Sequence, residues 1–284
     1  MKRIILASAL LCSTSSFAAD LPSVKSAPLA PAPLWMGFYG GLNVGYGFAT
    51  DQSVNNTGSS TAAIYTGTDY LTGLATTSPL NSGSNISQSG VVAGGQVGYN
   101  YQVSPKFVFG VEADMQGSGI NGSGNIAGVG ALNLQNGTGG WVVNTRVNQA
   151  ISWIGTGRIR GGYLFTPSVL VYATGGLAYG NASLQASPDT GFFLVPLAQG
   201  YPTLWSQSTA NKFVSGWTAG GGAEWMVSQN WSVKGEALYY NVGTQSVSNQ
   251  EYFIDQVVSS MSTKASYQGV IARAGVNYHF DWMK

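Results

Sequence analysis

Charged residues are scarce in this sequence. Only 8% of its 284 residues are Asp, Glu, Lys or Arg, whereas soluble domains average about 25%. So few charges cannot cover the water-exposed surface of an ordinary globular protein of this size. The near-even balance of 12 Lys and Arg against 11 Asp and Glu also leaves no basic surface for nucleic acid, which excludes nucleic-acid-binding proteins.

Long apolar runs are missing as well. Beyond the first dozen residues, no stretch approaches the ~20 apolar residues that a membrane-spanning helix needs. The glycines, 40 in all, interrupt the apolar residues throughout the chain. A helical membrane protein is therefore excluded.

The single cysteine, Cys12, lies in a segment with the features of a secretory signal. Lys2 and Arg3 precede a short apolar run, and small residues at Ser16 and Ala18 suit cleavage after Ala18. We therefore expect residues 1–18 to be a signal peptide, and the mature chain to lack disulfide and thiolate chemistry. Residues 19–34 contain four of the ten prolines and predict an extended periplasmic leader. Residues 35–284 remain for the folded domain.

From residue 38 onward, apolar and polar residues alternate with the period of two that is typical of β-strands. In one stretch, Ile151, Trp153 and Ile159 fall on the apolar phase, and polar residues lie between them. The pattern predicts eight strands at about 38–48, 91–103, 107–116, 151–165, 169–181, 217–225, 231–240 and 270–280.

The connections between these strands alternate in length. Tight turns are predicted at 104–106, 166–168 and 228–230, and long segments rich in Gly, Ser, Asn and Thr at about 49–89, 118–150, 182–212 and 244–266. Short turns at one rim and long loops at the other are typical of transmembrane β-barrels. The predicted fold is therefore all-β: an eight-stranded antiparallel transmembrane barrel with short periplasmic turns and four long extracellular loops.

The charges within the predicted strands all share the polar phase, which distinguishes this barrel from a soluble one. They are too few to solubilise an outer surface but enough to fill a narrow lumen, and four anions match four cations. These residues, the predicted lumen charge network, are Glu112, Asp114, Arg158, Arg160, Glu224, Lys234, Glu236 and Arg273. Arg158 and Arg160 face the same side of one strand, and their nearest expected anions are those of the preceding strand.

Aromatic residues on the opposite phase cluster beside the short turns. Such residues form a girdle at the membrane interface. The predicted girdle consists of Tyr99, Tyr101, Phe107, Tyr163, Phe165, Trp225, Trp231, Tyr278 and Phe280. The expected partners of this outer face are outer-membrane lipid and lipopolysaccharide.

Several segments resemble the porin-like outer-membrane β-barrel proteins of alphaproteobacteria, which include major surface antigens and hemin-binding outer-membrane proteins. These segments are 34–47 (LWMGFYGGLNVGYG), 171–180 (VYATGGLAYG), 234–240 (KGEALYY), 275–280 (GVNYHF) and the leader at 18–22 (AADLP). The resemblance implies an outer-membrane location in a Gram-negative cell and recognition of the C-terminal strand by the barrel-assembly machinery. The chain continues beyond the terminal aromatic residue at which family members usually end.

Hemin binding is implied only by this resemblance. The predicted loops contain no histidine, and tyrosine can hold haem iron. The candidate ligands are then Tyr65, Tyr70, Tyr201, Tyr252 and Met261. Aromatic packing within the loops is the alternative role for these residues, and no other cofactor is predicted.

Two further functions are less favoured by the sequence. An outer-membrane hydrolase needs a histidine near the outer leaflet, paired with Ser or Asp, whereas the only histidine, His279, lies at the predicted periplasmic end. A single histidine and no mature cysteine also fail to predict a metal site. A narrow pore for small solutes would be helped by inward glycines such as Gly94 and Gly98, but side chains just fill an eight-stranded interior.

The remaining expectation is a structural surface protein without enzymatic activity. The long segments exceed what eight strands need for closure, and loops on a rigid scaffold commonly carry function. The protein is therefore expected to contribute to envelope integrity and to contact host or other surface ligands through its loops.

Overall fold

The computed structural model describes residues 35–60, 64–66, 69–71, 78–79, 81–134, 137–195, 204–253 and 256–280. They lie within one compact unit, Pro33–Lys284. The predicted signal peptide and leader, residues 1–34, lie outside the described residues. Within the described ranges, no helix has the length and apolar character needed to cross a membrane.

The described residues form fourteen β-strands. In chain order these are β1 (Gly37–Ala49), β2 (Ser53–Ser60), β3 (Ile64–Thr66), β4 (Asp69–Leu71), β5 (Ser78–Pro79), β6 (Ser82–Asn85), β7 (Ser89–Gln102), β8 (Phe107–Leu134), β9 (Gly137–Thr166), β10 (Val169–Val195), β11 (Leu204–Trp205), β12 (Ser208–Met226), β13 (Trp231–Phe253) and β14 (Gln256–His279).

Eight of these strands close into an antiparallel ring. Their order is β1, β7, β8, β9, β10, β12, β13 and β14, and β14 pairs back with β1. Closure gives every ring strand two neighbours, so that backbone groups find partners without water and no long sheet edge is left open. The ring confirms the eight-stranded barrel predicted from the alternation.

The predicted long loops consist mostly of strand residues, which corrects the sequence interpretation. β8 and β9 are 28 and 30 residues long, although about 10 residues suffice to cross a bilayer. Their pairing continues up to Leu134 and Gly137. The first long segment contributes β2, which pairs with β14 and β6. Gly, Ser, Asn and Thr favour loops locally, but a continuous ladder of backbone hydrogen bonds holds them as strands here. Together these strand residues form an extension of the barrel.

Two irregularities change which residues face the interior. On β9, Ile151 and Ile154 are both buried, and the register with β10 shifts between Asn181 and Ala182. Ile151 therefore lies inside the barrel, not on the outer face where strict alternation places it. On β13, the register with β14 shifts between Asn241 and Thr244, where Gly243 has a φ of 86°, a bulge conformation that suits glycine.

The inward side chains form three layers, which can be followed along β8. Val108 belongs to a small apolar cluster at the short-turn end, together with Trp35 and other residues. The buried acids Glu112 and Asp114 come next, and Ile120 then joins a larger apolar cluster that fills the extension. A charged layer thus lies between two apolar layers.

The outer face of β8 changes from apolar to polar at the level where the interior changes from charged to apolar. Phe109, Val111 and Met115 are exposed, whereas beyond them Asn121 and Ser123 occupy the outward positions. Lipid requires an apolar exterior, but a barrel wall in water requires an apolar interior. The change in composition therefore marks where the barrel leaves the membrane.

Candidate functional site

All eight residues of the predicted lumen charge network point into the barrel, and none is more than 6% exposed. Three acids face a base directly across a strand pair: Glu112 and Arg158, Glu224 and Lys234, Glu236 and Arg273. Period-two alternation produces this placement, because residues two apart on a strand share a face. The structure therefore brings the whole set into one buried layer.

Arg158 joins opposite walls of the barrel. Its guanidinium contacts Glu112 on the neighbouring β8 and lies 2.9 Å from Asp114. Its other terminal nitrogen is 3.0 Å from Glu236 on β13. Because β9 and β13 are not neighbours in the ring, this ion pair crosses the lumen.

The remaining bases on β13 and β14 share the same acids. Lys234 Nζ lies 2.7 Å from Glu236 and 3.1 Å from Glu112. Arg273 lies 2.7 Å from Asp114 and 2.9 Å from Glu236. Every acid in this group therefore serves at least two bases, and the layer acts as one unit.

Arg160 has a different main partner from the one expected. Its closest carboxylate is Glu224 at 2.7 Å, and Glu112 is farther away at 3.5 Å. Its guanidinium also lies 4.0 Å from the Tyr172 ring centre, a cation–π contact. Arg160, on β9, reaches past β10 to contact Glu224 on β12. Strand order alone does not reveal such a contact.

Neutral polar residues that were not predicted from the sequence complete the network. The Tyr39 hydroxyl donates to Glu112 at 2.6 Å and accepts from Arg160 at 2.9 Å. Ser232 and Asn277 donate to Glu224 at 2.6 and 2.7 Å. A signal was available for Ser232 and Asn277, which occupy the same phase as the charges on their strands, but not for Tyr39, whose strand carries no charge.

His279 lies inside the barrel near the short-turn end. Its Nε2 is 3.0 Å from Ser232 Oγ and 3.5 Å from Glu224, and its ring stacks on Tyr39 at 5.4 Å. In a catalytic triad the histidine uses one nitrogen for the serine and the other for the acid. Here both partners face the same nitrogen, and all of them are buried, so this arrangement does not match a hydrolase.

Apolar side chains cover both sides of the charged layer. At the short-turn end, Trp35 is 1% exposed, and its indole nitrogen donates to the Pro167 carbonyl at 3.0 Å. Toward the extension, Ile120 and Ile271 are buried. The wall at Gly98 is not thin, because the Tyr39 ring fills the space that a Cβ would need there.

The predicted girdle residues lie on the outer face near the short turns. Eight of the nine are between 36% and 77% exposed, and the ninth, Tyr99, is partly covered by Phe38, whose ring centre is 4.8 Å away. Cross-strand pairs such as Phe107–Tyr163 and Trp231–Tyr278, with ring centres 5.6 and 5.1 Å apart, join neighbouring strands within the girdle.

A second girdle, missed by the sequence analysis, lies toward the extension. It consists of Tyr46, Phe48, Trp153, Tyr179, Phe213 and Trp217, with Trp153 and Tyr179 rings 6.1 Å apart. On β1, Phe38 and Phe48 are ten residues apart, which gives about 25 Å of height for a tilted strand. That is the height of the apolar band in outer-membrane barrels. We call the outer surface between the two girdles the membrane band.

The hemin candidates have separate locations. Tyr65 and Tyr70 are direct cross-strand partners in the β3–β4 sheet. Met261 is buried in the extension, with its sulfur 3.5 Å from Thr145 Oγ1. Tyr201 lies outside the described residues, and for Tyr252 only the backbone, in β13, is described.

Sequence comparison identifies a family and relatives of this chain. Residues 4–280 match the family described as outer membrane protein beta-barrel domain. The chain is 33% identical over 294 aligned residues to the 31 kDa outer-membrane immunogenic protein of Brucella melitensis, covering 99% of this chain and 100% of that protein. The same values hold for the Brucella suis protein of that description. Among solved structures, the outer membrane protein OprG from Pseudomonas aeruginosa aligns over 86% of this chain and 96% of its own, with 14% identity and a TM-score of 0.40. The family match and the Brucella relatives show that the chain belongs to the outer membrane β-barrel domain family and is an outer-membrane protein.

Proposed function

We propose that this protein is a closed structural barrel that contributes to envelope integrity and presents its extension at the cell surface. The observation that carries this proposal is the charged layer, which crosses the lumen between two apolar layers. A passing solute would have to separate buried ion pairs, which is costly when a charge is left without its partner. It would also lose its hydration in the apolar layers.

The extension supports the surface role. Its interior contains an apolar cluster that includes Ile126, Val147 and Leu184, and its outward positions on β9 include Asn144, Arg146 and Asn148. A packed core in water makes this part a rigid support for the hairpin tips, where binding residues commonly occur. Host or other surface ligands would contact the tips. Lipid and lipopolysaccharide would contact the outer face, and the barrel-assembly machinery would recognise the C-terminal strand.

Conductance measurements test the closed barrel. We expect the refolded, purified protein to produce no large, steady open channel in planar lipid bilayers. An established sixteen-stranded porin reconstituted under the same conditions controls for insertion. Persistent channel openings of porin size from the monomer would refute the closed barrel and favour solute passage.

The pairing of Tyr65 with Tyr70 supports a second candidate function, hemin capture. Tyrosine can ligate haem iron, and the backbones of Tyr65 and Tyr70 are paired. Hemin titration of the refolded protein in detergent tests this, comparing wild type with Tyr65→Phe/Tyr70→Phe and with Tyr278→Phe as the control. A saturable shift of the hemin absorption band that only the double variant loses supports capture. Equal titrations in all three proteins refute ligation by this pair.

A further inference from the structure

A groove follows the lipid-facing surface of β7 to β10. It consists of two adjoining depressions of about 670 and 780 Å³ that share Tyr99, Val111, Ile159 and Gly175. These shared residues form one cross-strand row. Gly161 lines the depression on the short-turn side of this row, and Gly157 lines the other one. We call the two depressions together the glycine groove.

The glycines of the groove are not required by packing within the barrel. A Cβ added at Gly157 would meet nothing within 4 Å, and one at Gly161 would meet only the Phe109 ring, at 3.5 Å. At Gly175 the nearest atom would be the Thr218 carbonyl oxygen at 3.7 Å. The space above these glycines is therefore open toward the lipid.

The inward glycines of the same strands behave differently. At Gly162 and Gly176 an added Cβ would overlap neighbouring residues of the barrel. The close packing inside the barrel therefore explains why these two positions are glycine. The outward glycines have no such explanation within the chain, and small outward residues in a membrane protein allow another molecule to approach the backbone closely.

The groove reaches the membrane interface at the short-turn end. Gly161 lies two residues from Tyr163 of the first girdle, and the exposed Lys106 holds its ammonium 5.9 Å from the Tyr163 ring centre. A cation at the interface, next to an apolar groove in the membrane band, is complementary to an anionic headgroup attached to an acyl chain.

We propose that the glycine groove binds one anionic glycerophospholipid from the leaflet at the short-turn side. An acyl chain lies against Gly161 and Gly175 beside the Phe109 ring, and the phosphate lies at Lys106. Because surrounding lipid tails are as apolar as the groove, close packing and the headgroup contact provide the preference. One interfacial lysine gives about a five-fold preference for an anionic over a zwitterionic lipid.

Native mass spectrometry of the full protein in detergent tests the site. Phosphatidylglycerol and phosphatidylcholine with identical acyl chains are titrated separately, and bound lipids are counted. We expect one saturable phosphatidylglycerol adduct, about five-fold tighter than its phosphatidylcholine counterpart. Gly161→Leu should weaken both adducts by at least about five-fold, because the leucine occupies the groove. Lys106→Gln should abolish the preference while phosphatidylcholine still binds.

Matched variants separate the groove from general effects. Gly235 is also exposed on the outer face, outside the groove, and a Cβ there would meet nothing within 4 Å. Gly235→Leu should therefore leave the adduct unchanged, and Lys212→Gln, at an exposed position in the extension, should leave the preference unchanged. If Gly161→Leu fails to fold, Gly175→Leu, which fills the same depression, provides the same measurement.

Three results would overturn the proposal. The first is the absence of a saturable adduct in wild type. The second is equal loss of lipid in Gly161→Leu and Gly235→Leu. The third is a wild-type dimer that Gly161→Leu converts to a monomer, which would identify a second copy of the chain as the occupant. None of these results predicts a change in channel conductance, so the closed-barrel proposal is tested independently.

Discussion

Removing one acid from the charged layer should destabilise the whole barrel. Glu236 is buried, with oxygens 3.0 Å from Arg158, 2.7 Å from Lys234 and 2.9 Å from Arg273. Glu236→Ala leaves these three bases with one carboxylate fewer, so the layer carries a net positive charge. Breaking a buried charge pair by removing one partner costs about 3–5 kcal/mol.

Urea unfolding of the protein in phosphatidylcholine vesicles, followed by tryptophan fluorescence, measures this loss. For a urea dependence of about 2 kcal/mol per molar, the cost of about 3–5 kcal/mol lowers the midpoint by about 1.5–2.5 M. Lys264→Ala, at an exposed position in the extension, should change the free energy of unfolding by less than about 0.5 kcal/mol.

A charge-balanced variant separates the effect of charge from the loss of side-chain packing. Lys234→Met/Glu236→Met removes a base and an acid together, so the layer stays neutral and the volume is largely kept. We expect its midpoint to recover most of the loss, since apolar replacements of a buried ion pair are often tolerated. If Glu236→Ala, the double variant and Lys264→Ala all unfold at the wild-type midpoint, the residues do not form a coupled buried layer, and the reasoning fails.

Three further predictions concern the extension. An epitope tag inserted at Gly137 should be labelled on intact cells and one at Ser104 should not; the reverse result would invert the topology. Ile126→Ala should lower the free energy of unfolding by about 2–5 kcal/mol through a cavity in the core, whereas Val129→Ala at an exposed position should have little effect; equal urea midpoints would contradict a packed extension. Burial raises the pKa of Glu251, beyond the membrane band, above its ordinary value, so its ionisation opposes folding and stability falls as pH rises from the unfolded-state pKa through the folded one. Glu251→Gln should therefore raise the urea midpoint at pH 7.5 but not at pH 4, and a gain that is the same at both would refute this.

Much of the barrel was predictable from local sequence because a β-strand has only two faces. Glu112 and Asp114 alternate with apolar outward neighbours, so their common face follows from the period of two. The scarcity of charge then decides which face meets lipid, since an apolar exterior tolerates no unpaired ions. The ring, the inward charges and the aromatic residues beside the short turns follow from this period and from the scarcity of charge.

Strand length was not predictable in the same way. The residues from Gly117 to Leu134 include many that favour turns, and only the partner strand β9 provides the hydrogen bonds that keep them extended. Their apolar residues are also sparse, since only one face is buried and much of that face is glycine or serine. The apolar–polar alternation that is sufficient to predict strands in the membrane is therefore weak in the extension.

The partners within the lumen were decided by the tertiary structure alone. Alternation places Arg160 in the interior, but whether it meets Glu112 or Glu224 depends on the curvature of the closed ring and on how far each side chain reaches across it. The bulge beside Ile151 likewise depends on pairing with β10. Which face each strand residue takes in the membrane follows from the local sequence, because that choice depends on local period and solvent. Only ring closure determined which distant residues meet, because those contacts depend on the positions of all eight strands at once.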